Sequence, residues 1–283
     1  MLIDTHAHLY WDSFKKDLNE VIKRSIDAGV TTLINVGVDV ELSKIAAEQV
    51  SSQLLNVPNL KVYSTIGIHP HEAVKYPNAV SIHKDIEELE RLYQTKPDQI
   101  IAVGECGLDF FFGNNPEPSS LPIAKQKNLQ RQLFQAQIDL AKKLNLPLIV
   151  HCRDDRSKNL QNSEAWDTVL KMIGNHPTIL HCYSGLNKTT QQILNMPNAL
   201  ISFAGTITYP KNEYLRETAT ILPLEKIVLE TDCPFLPPQS KRGQRNEPAS
   251  VKEMAQLIAD LKEISIDAVS TQTTNNAKRI FNI

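Results

Sequence analysis

The sequence contains no uninterrupted apolar run of about 18 residues, so no membrane-crossing helix is expected. Neither sign of charge is in excess. Lys+Arg number 30 and Asp+Glu 32, leaving a formal net charge of −2, which excludes a wholesale basic surface. Any binding of nucleic acid must then rest on local positive charge. Cysteine is scarce, at 4, and no two cysteines stand in Cys-x-x-Cys spacing. The opening residues, Met1-Leu2-Ile3-Asp4-Thr5-His6, are too polar for a signal peptide. A cytoplasmic location with reduced thiols is the expectation. No Gly-rich turn follows the first apolar run, which argues against a doubly wound dinucleotide-binding sheet. No linker, internal repeat or low-complexity segment stands out.

What is present is ordinary for a folded chain: 41% apolar and 22% charged residues over 283 positions. Short apolar, β-branched runs alternate with longer stretches of helical periodicity. Residues 2–6, 31–36, 60–68, 100–105, 146–151, 178–181, 199–203 and 226–230 read as strands. Residues 17–28, 41–54, 81–93, 124–144, 164–173, 188–194 and 213–221 read as the intervening helices. Two more helices, 249–262 and 267–281, close the chain. Strands separated by helix-length segments pair in parallel, and eight of them predict an α/β fold, the (β/α)8 TIM barrel, as a single domain over 1–283. The proline-containing stretches 114–122 and 234–248 each lie between a strand and its helix and read as rim loops.

The strand ends carry the chemistry. His6 and His8 are two apart at the end of the first strand, so their side chains can face the barrel axis together. Other strands run into Glu105, His151, His181 and Asp232. Active sites of such barrels sit at the C-terminal ends of the strands. A barrel therefore brings His6, His8, Glu105, His151, His181 and Asp232 to one mouth. Four imidazoles and two carboxylates need a cation, because unpaired buried charges are costly. Imidazole with carboxylate suits zinc, manganese, iron or nickel. Six ligands exceed the set of a single catalytic zinc and predict two divalent metal ions bridged by a carboxylate. Cys106, Cys152, Cys182 and Cys233 each directly follow one of these ligands. Adjacent strand residues face opposite ways, so the thiols are expected to face the helix layer.

These stretches together resemble the TatD family of metal-dependent deoxyribonucleases, within the amidohydrolase-like barrels. The matching segments begin with Asp4-Thr5-His6-Ala7-His8, Gly67-Ile68-His69-Pro70-His71 and Gly104-Glu105-Cys106-Gly107-Leu108-Asp109. They continue through His151-Cys152-Arg153, His181-Cys182-Tyr183-Ser184-Gly185 and Glu230-Thr231-Asp232-Cys233-Pro234 to Arg242-Gly243-Gln244-Arg245-Asn246-Glu247-Pro248. The resemblance implies one metal on His6, His8, Glu105 and Asp232, with Glu105 bridging to a second on His151 and His181. It implies that His69 and Arg153 sit near a substrate phosphate. The chemistry agrees: a metal-bound hydroxide attacks, Asp232 accepts the proton, and Arg153 offers a phosphate two parallel hydrogen bonds. Mg, Mn and Zn are the candidate ions.

Lys241, Arg242 and Arg245 stand within five residues of the eighth loop, with no acid among them. A basic loop at the rim suits a phosphodiester chain. Tyr183, Phe203, Tyr209 and Phe235 are candidates to stack on bases, or to pack. Phe110, Phe111 and Phe112 either shield the metals or cap the barrel. Asn246 reads as the cap of the following helix, with Pro248 in its first turn. The expected function is hydrolysis of DNA by a monomer with no membrane partner. The alternative is an amidohydrolase-type enzyme acting on an ester or amide, including D-aminoacyl-tRNA deacylation.

Overall fold

The computed structural model describes residues 1–283 apart from 53–54, 56, 77–78, 115–118, 158 and 160. Eight strands form one sheet in sequence order: β1 (Leu2–Ala7), β2 (Val30–Asn35), β3 (Lys61–Ile66), β4 (Ile100–Asp109), β5 (Leu148–Arg153), β6 (Thr178–Leu180), β7 (Ala199–Phe203) and β8 (Ile227–Leu229). Every neighbouring pair is parallel. The sheet curls until its edges meet at the top, where Ala7 bridges Cys233. There His8 N–H donates to Cys233 O at 2.8 Å and Asp232 N–H to His6 O at 2.9 Å. The expected (β/α)8 barrel is therefore the fold.

Helices α1 (Leu18–Asp27), α2 (Val40–Val50), α3 (Ala79–Thr95), α4 (Ile123–Leu144), α5 (Glu164–Ile173), α6 (Asn187–Leu194), α7 (Glu213–Ile221), α8 (Val251–Lys262) and α9 (Ile266–Phe281) surround it. Several are punctuated as their sequences require. Asp39 caps α2 by accepting from Leu42 N–H at 2.7 Å. Asn145 ends the long α4 in the left-handed conformation, φ 54°. One apolar core fills the layer between strands and helices, and a second occupies the barrel lumen. The lumen core stacks Ile3, Ile34, Ile101, Ile149, Ile179, Leu200 and Val228. Ala277 and Phe281 of α9 join it from below, and Asn276 Nδ2 donates to Ile227 O at 2.8 Å. The C-terminal helix thus forms the floor of the barrel.

Three boundaries differ from the sequence reading in ways that matter at the mouth. β4 runs to Asp109 rather than ending at Glu105. Gly107 allows this: at φ 137° a Cβ would lie 2.0 Å from His151 O, so only glycine lets β4 and β5 run so close. A 3-10 helix, Pro70–Lys75, follows β3 where no element was expected. β6 stops at Leu180, which leaves His181 and Cys182 beyond it, with Cys182 at φ 42°. The expected helix 41–54 ends at Val50, and its residues 53–54 lie outside those described. Residues 115–118 of the 114–122 loop also lie outside them.

The cysteines follow this geometry. Cys106, Cys152 and Cys233 lie in the core between barrel and helices, as the strand alternation predicts. Cys182 stands apart from that core, at intermediate exposure. Burial pushes its thiol up, and the next causes are the charges of Glu230 and Asp232. With β6 already ended, strand alternation no longer governs its direction.

Candidate metal centre

The six expected ligands converge at the mouth. Glu105 is at the middle, and its two carboxylate oxygens face different partners. Oε2 lies 3.3 Å from His6 Nε2. Oε1 lies 3.0 Å from His151 Nδ1 and 3.7 Å from His181 Nε2. Asp232 Oδ1 stands 3.4 Å from His8 Nε2, 3.6 Å from His6 Nε2 and 3.8 Å from His181 Nε2. His6 and His8 bring their Nε2 atoms within 3.2 Å of each other. The rings of His6 and His181 stack at 3.6 Å.

The outer nitrogens decide which inner nitrogens are available. His8 Nδ1 lies 2.8 Å from Val36 O, a carbonyl that can only accept, so Nδ1 carries the proton and Nε2 keeps its lone pair. His181 Nδ1 is held at 2.9 Å by Glu230 Oε2, again freeing Nε2. His151 is turned the other way: Nε2 faces Asp109 Oδ2 at 3.1 Å, and Nδ1 points inward. His69 differs from all three. Its Nδ1 accepts from His71 N–H at 3.2 Å, so a neutral ring has its proton on Nε2. That Nε2 lies 3.6 Å from Glu105 Oε1 and offers a hydrogen bond rather than a lone pair. Burial pushes His69 down to about 3, which keeps the ring neutral.

Two carboxylates and one imidazole missing from the expected set complete this frame. Glu230 orients His181 and also accepts Cys182 N–H at 2.6 Å. Asp109 Oδ2 takes both His151 Nε2 and His71 Nε2 at 3.1 Å, while Oδ1 accepts Phe111 N–H at 2.8 Å. Both acids stood in the motifs already quoted, Glu230 two residues before Asp232 and Asp109 four after Glu105. Strand spacing alone does not show which carboxylate reaches the far side of an imidazole.

The electrostatics are those of a site built for cations. Burial works against the Glu105 carboxylate, yet the surrounding His69, His181, His151 and His6 hold it well below the usual range. Burial would depress His181, but Glu230 and Glu105 outweigh it and push it up to about 10. Burial likewise opposes charge on His151, and Asp109 with Glu105 raise it to about 9. Without an ion, protons must supply the positive charge that the buried acids demand. Three His/carboxylate groups each have donor atoms within 4.8 Å of one another: His6–His8–Asp232 and His6–His181–Glu230, which share His6, and His69–Glu105–His151. Imidazole nitrogen and carboxylate oxygen form the donor set of a divalent transition ion, so the residues fit one.

The expected substrate contacts lie around this centre in unlike states. Arg153 stacks on Phe111, 4.2 Å from the ring centroid, and pairs with no carboxylate among the described residues. Arg242 stacks over Tyr209 at 4.4 Å. Lys241 Nζ pairs with Glu253 Oε1 at 3.1 Å. Arg245 forks onto Asp17 at 2.8 and 2.7 Å and donates to Glu247 at 2.8 Å. Ser13 O accepts from it as well. No acid stands among these three basic residues, but Asp17, Glu247 and Glu253 supply partners to two of them. Asn246 does not cap the next helix: its Nδ2 donates to Thr231 O and Phe235 O, both at 2.8 Å. Pro248 does open a helical turn, Pro248–Ser250. Of the other aromatics, Tyr183, Phe203, Tyr209 and Phe110 are buried, and Phe235 is exposed.

A (β/α)8 barrel with histidines and carboxylates gathered at its strand ends is the architecture of a metal-dependent hydrolase. The chain belongs to the TatD family: the model of TatD related DNases matches residues 3–282. It is 34% identical over 285 residues to the metal-dependent hydrolase YabD of Bacillus subtilis (strain 168), with 100% of both chains covered. It is 30% identical over 287 residues to the 3'-5' ssDNA/RNA exonuclease TatD of Erwinia tasmaniensis, again with 100% of both covered. Among solved structures, the TatD homologue YJJV from Escherichia coli K12 superposes with a TM-score of 0.82 at 26% identity, covering 100% of this chain and 98% of that one. No helix among the described residues is long and apolar enough to cross a membrane.

Proposed function

We propose that this centre holds two divalent metal ions and hydrolyses phosphodiester bonds of DNA. The observation that carries this reading is the division of Glu105. One oxygen faces His6 and the other faces His151 and His181, the disposition of a carboxylate shared between two ions. His8 and Asp232 complete the first side. The relatives named 3'-5' ssDNA/RNA exonuclease make a single strand the first substrate to try.

When bound, divalent ions lower the pKa of a coordinated water and draw off negative charge. The chain's own groups do the rest. The Asp232 carboxylate accepts the proton of the attacking water and returns it to the leaving oxygen. Burial raises its pKa, but hydrogen bonding from His8 and the facing His181 and His6 keep it low, so it is ionised and ready. His69 Nε2–H donates to a non-bridging phosphate oxygen. Arg153, without a carboxylate partner among the described residues, gives the phosphate two parallel hydrogen bonds. Arg242 meets the next phosphate along the strand, while Lys241 and Arg245 hold the loop that carries it.

An activity panel on metal-loaded protein tests this. Single- and double-stranded DNA, RNA, abasic DNA, aminoacyl-tRNA and simple esters are compared at equal concentration. Cleavage of DNA ahead of the esters and aminoacyl-tRNA is expected. Turnover confined to aminoacyl-tRNA or simple esters would replace the nuclease reading.

A further inference from the structure

The described residues expose few large apolar side chains, and only one of these is aromatic. Among the described residues Met1, Ile45, Val80, Ile123, Ile221, Phe235 and Ile264 are exposed, and Phe235 is 42% open to solvent. Phe14, Phe110 and Phe203 are buried to 2% or less. An exposed aromatic ring beside a polar centre offers a face for stacking. Phe235 is also placed with care. It stands three residues after Asp232, and its N–H donates to Asp232 O at 2.9 Å. The buried Asn246 clasps its carbonyl. Its ring meets Trp11 in a T-shaped contact at 5.2 Å and 77°, and lies 6.1 Å from the ring of His8. Trp11 in turn lies 6.1 Å from His8 and is only partly buried. A rigid, open aromatic pair therefore borders the side of the centre formed by His8 and Asp232.

We propose that Phe235 and Trp11 form a stacking platform for a nucleobase of the strand whose phosphate reaches the histidine–carboxylate centre. The inference rests on the nucleic-acid reading given above and adds to it where the base goes. A flat π face beside a phosphate-binding centre suits a nucleotide, because every base has a face to stack and stacking tolerates any sequence. The two hydrogen bonds to its backbone fix where Phe235 stands relative to Asp232. The platform thus sets which phosphate of the strand is presented.

Fluorescence tests the platform directly. The sequence has two tryptophans, and Trp166 is fully buried, so Trp11 is the one a ligand can reach. The metal-loaded protein is titrated with a phosphorothioate oligothymidylate, which resists cleavage, and with an abasic phosphorothioate of equal length and charge. The base-bearing strand is expected to quench the emission, the abasic strand to leave it unchanged, and Trp11→Phe to abolish the quench. Phe235→Leu keeps an apolar side chain and removes the ring. It should weaken binding of the base-bearing strand by between about 5- and 150-fold, the range for losing one stacked base, and leave abasic binding unchanged. Equal affinity for both strands in the wild-type protein, with DNA cleavage intact, overturns the platform and spares the nuclease reading. Equal loss on both strands in Phe235→Leu also overturns it, because the ring would then be only structural. Binding of neither strand, with no DNA cleavage, overturns both.

Discussion

Glu230 Oε2 holds His181 Nδ1 at 2.9 Å, with both side chains buried. The carboxylate fixes the tautomer and the plane of an imidazole whose other nitrogen faces Glu105 and Asp232. Carboxylates in this position orient a ligand and raise its basicity. Glu230→Gln should therefore reduce metal affinity by roughly 10- to 100-fold. Metal titration by calorimetry, with far-UV circular dichroism to confirm the fold, reads this out. Unchanged affinity would mean that His181 needs no such orientation.

Removal of metal should act on stability as well as on activity. The buried acids and imidazoles of the mouth repel their own kind once the protons that stand in for a cation are titrated away. Chelator-stripped protein should lose hydrolysis and regain it with Mg, Mn or Zn. An ion at about 100 times its Kd should add about 2.7 kcal/mol of stability by mass action. Thermal melts with and without the ion measure this. Full activity in stripped protein would remove the metal from the mechanism.

Asp232 has φ 60°, in the left-handed region. Asparagine tolerates that conformation better than most residues, so Asp232→Asn should fold with little strain. Under the proposed mechanism it loses a ligand oxygen and the proton acceptor together. The expected fall in kcat is at least about 10²-fold, the low end for a general base. A variant with near-normal kcat would show that another group handles the proton.

Arg245 joins Asp17, beside the start of α1, to Glu247 in the eighth loop, and Arg24 holds Glu247 from α1 at 2.7 and 2.9 Å. The hydrogen bond from Arg245 lowers Asp17; burial raises Glu247, but Arg24 and Arg245 outweigh it and lower it. Carboxylates depressed in the folded state stabilise it above their unfolded pKa values, 3.8 and 4.5. That contribution is lost as pH falls through the folded values. Arg245→Ala should cost roughly 1–2 kcal/mol near neutrality, discounted for partial exposure. It should also flatten the acid limb of a plot of Tm against pH below about 5. A parallel acid limb would show that the network is not coupled to folding.

Arg242 provides the contrast, because it stacks on Tyr209 and forms no ion pair among the described residues. Arg242→Ala should weaken oligonucleotide binding and lower the salt slope by about 1, as for one lost phosphate contact. The same measurement on Arg245→Ala should leave the slope unchanged. The opposite pattern would reverse which arginine meets the strand.

The barrel, and the meeting of the six candidate ligands at its mouth, were legible because five of the strands are apolar runs that lead to His, Glu or Asp. Parallel strands then leave one geometric possibility, a shared mouth. Relations across segments were not legible. Arg245 looked uncommitted because its acids come from residue 17 and from two positions further along the chain. Glu230 and Asp109 looked like neighbours of ligands, since nothing in spacing shows that they reach an imidazole from behind. Cys182 escaped strand alternation because β6 has only three residues and ends before it.

The floor made by α9 leaves the barrel a vessel with one opening. Phe281 and the lumen core close the other end, so nothing can pass through the axis. Under the nuclease reading a strand cannot run down the barrel axis, so substrate and products both use the mouth. Entry and exit therefore compete for one doorway.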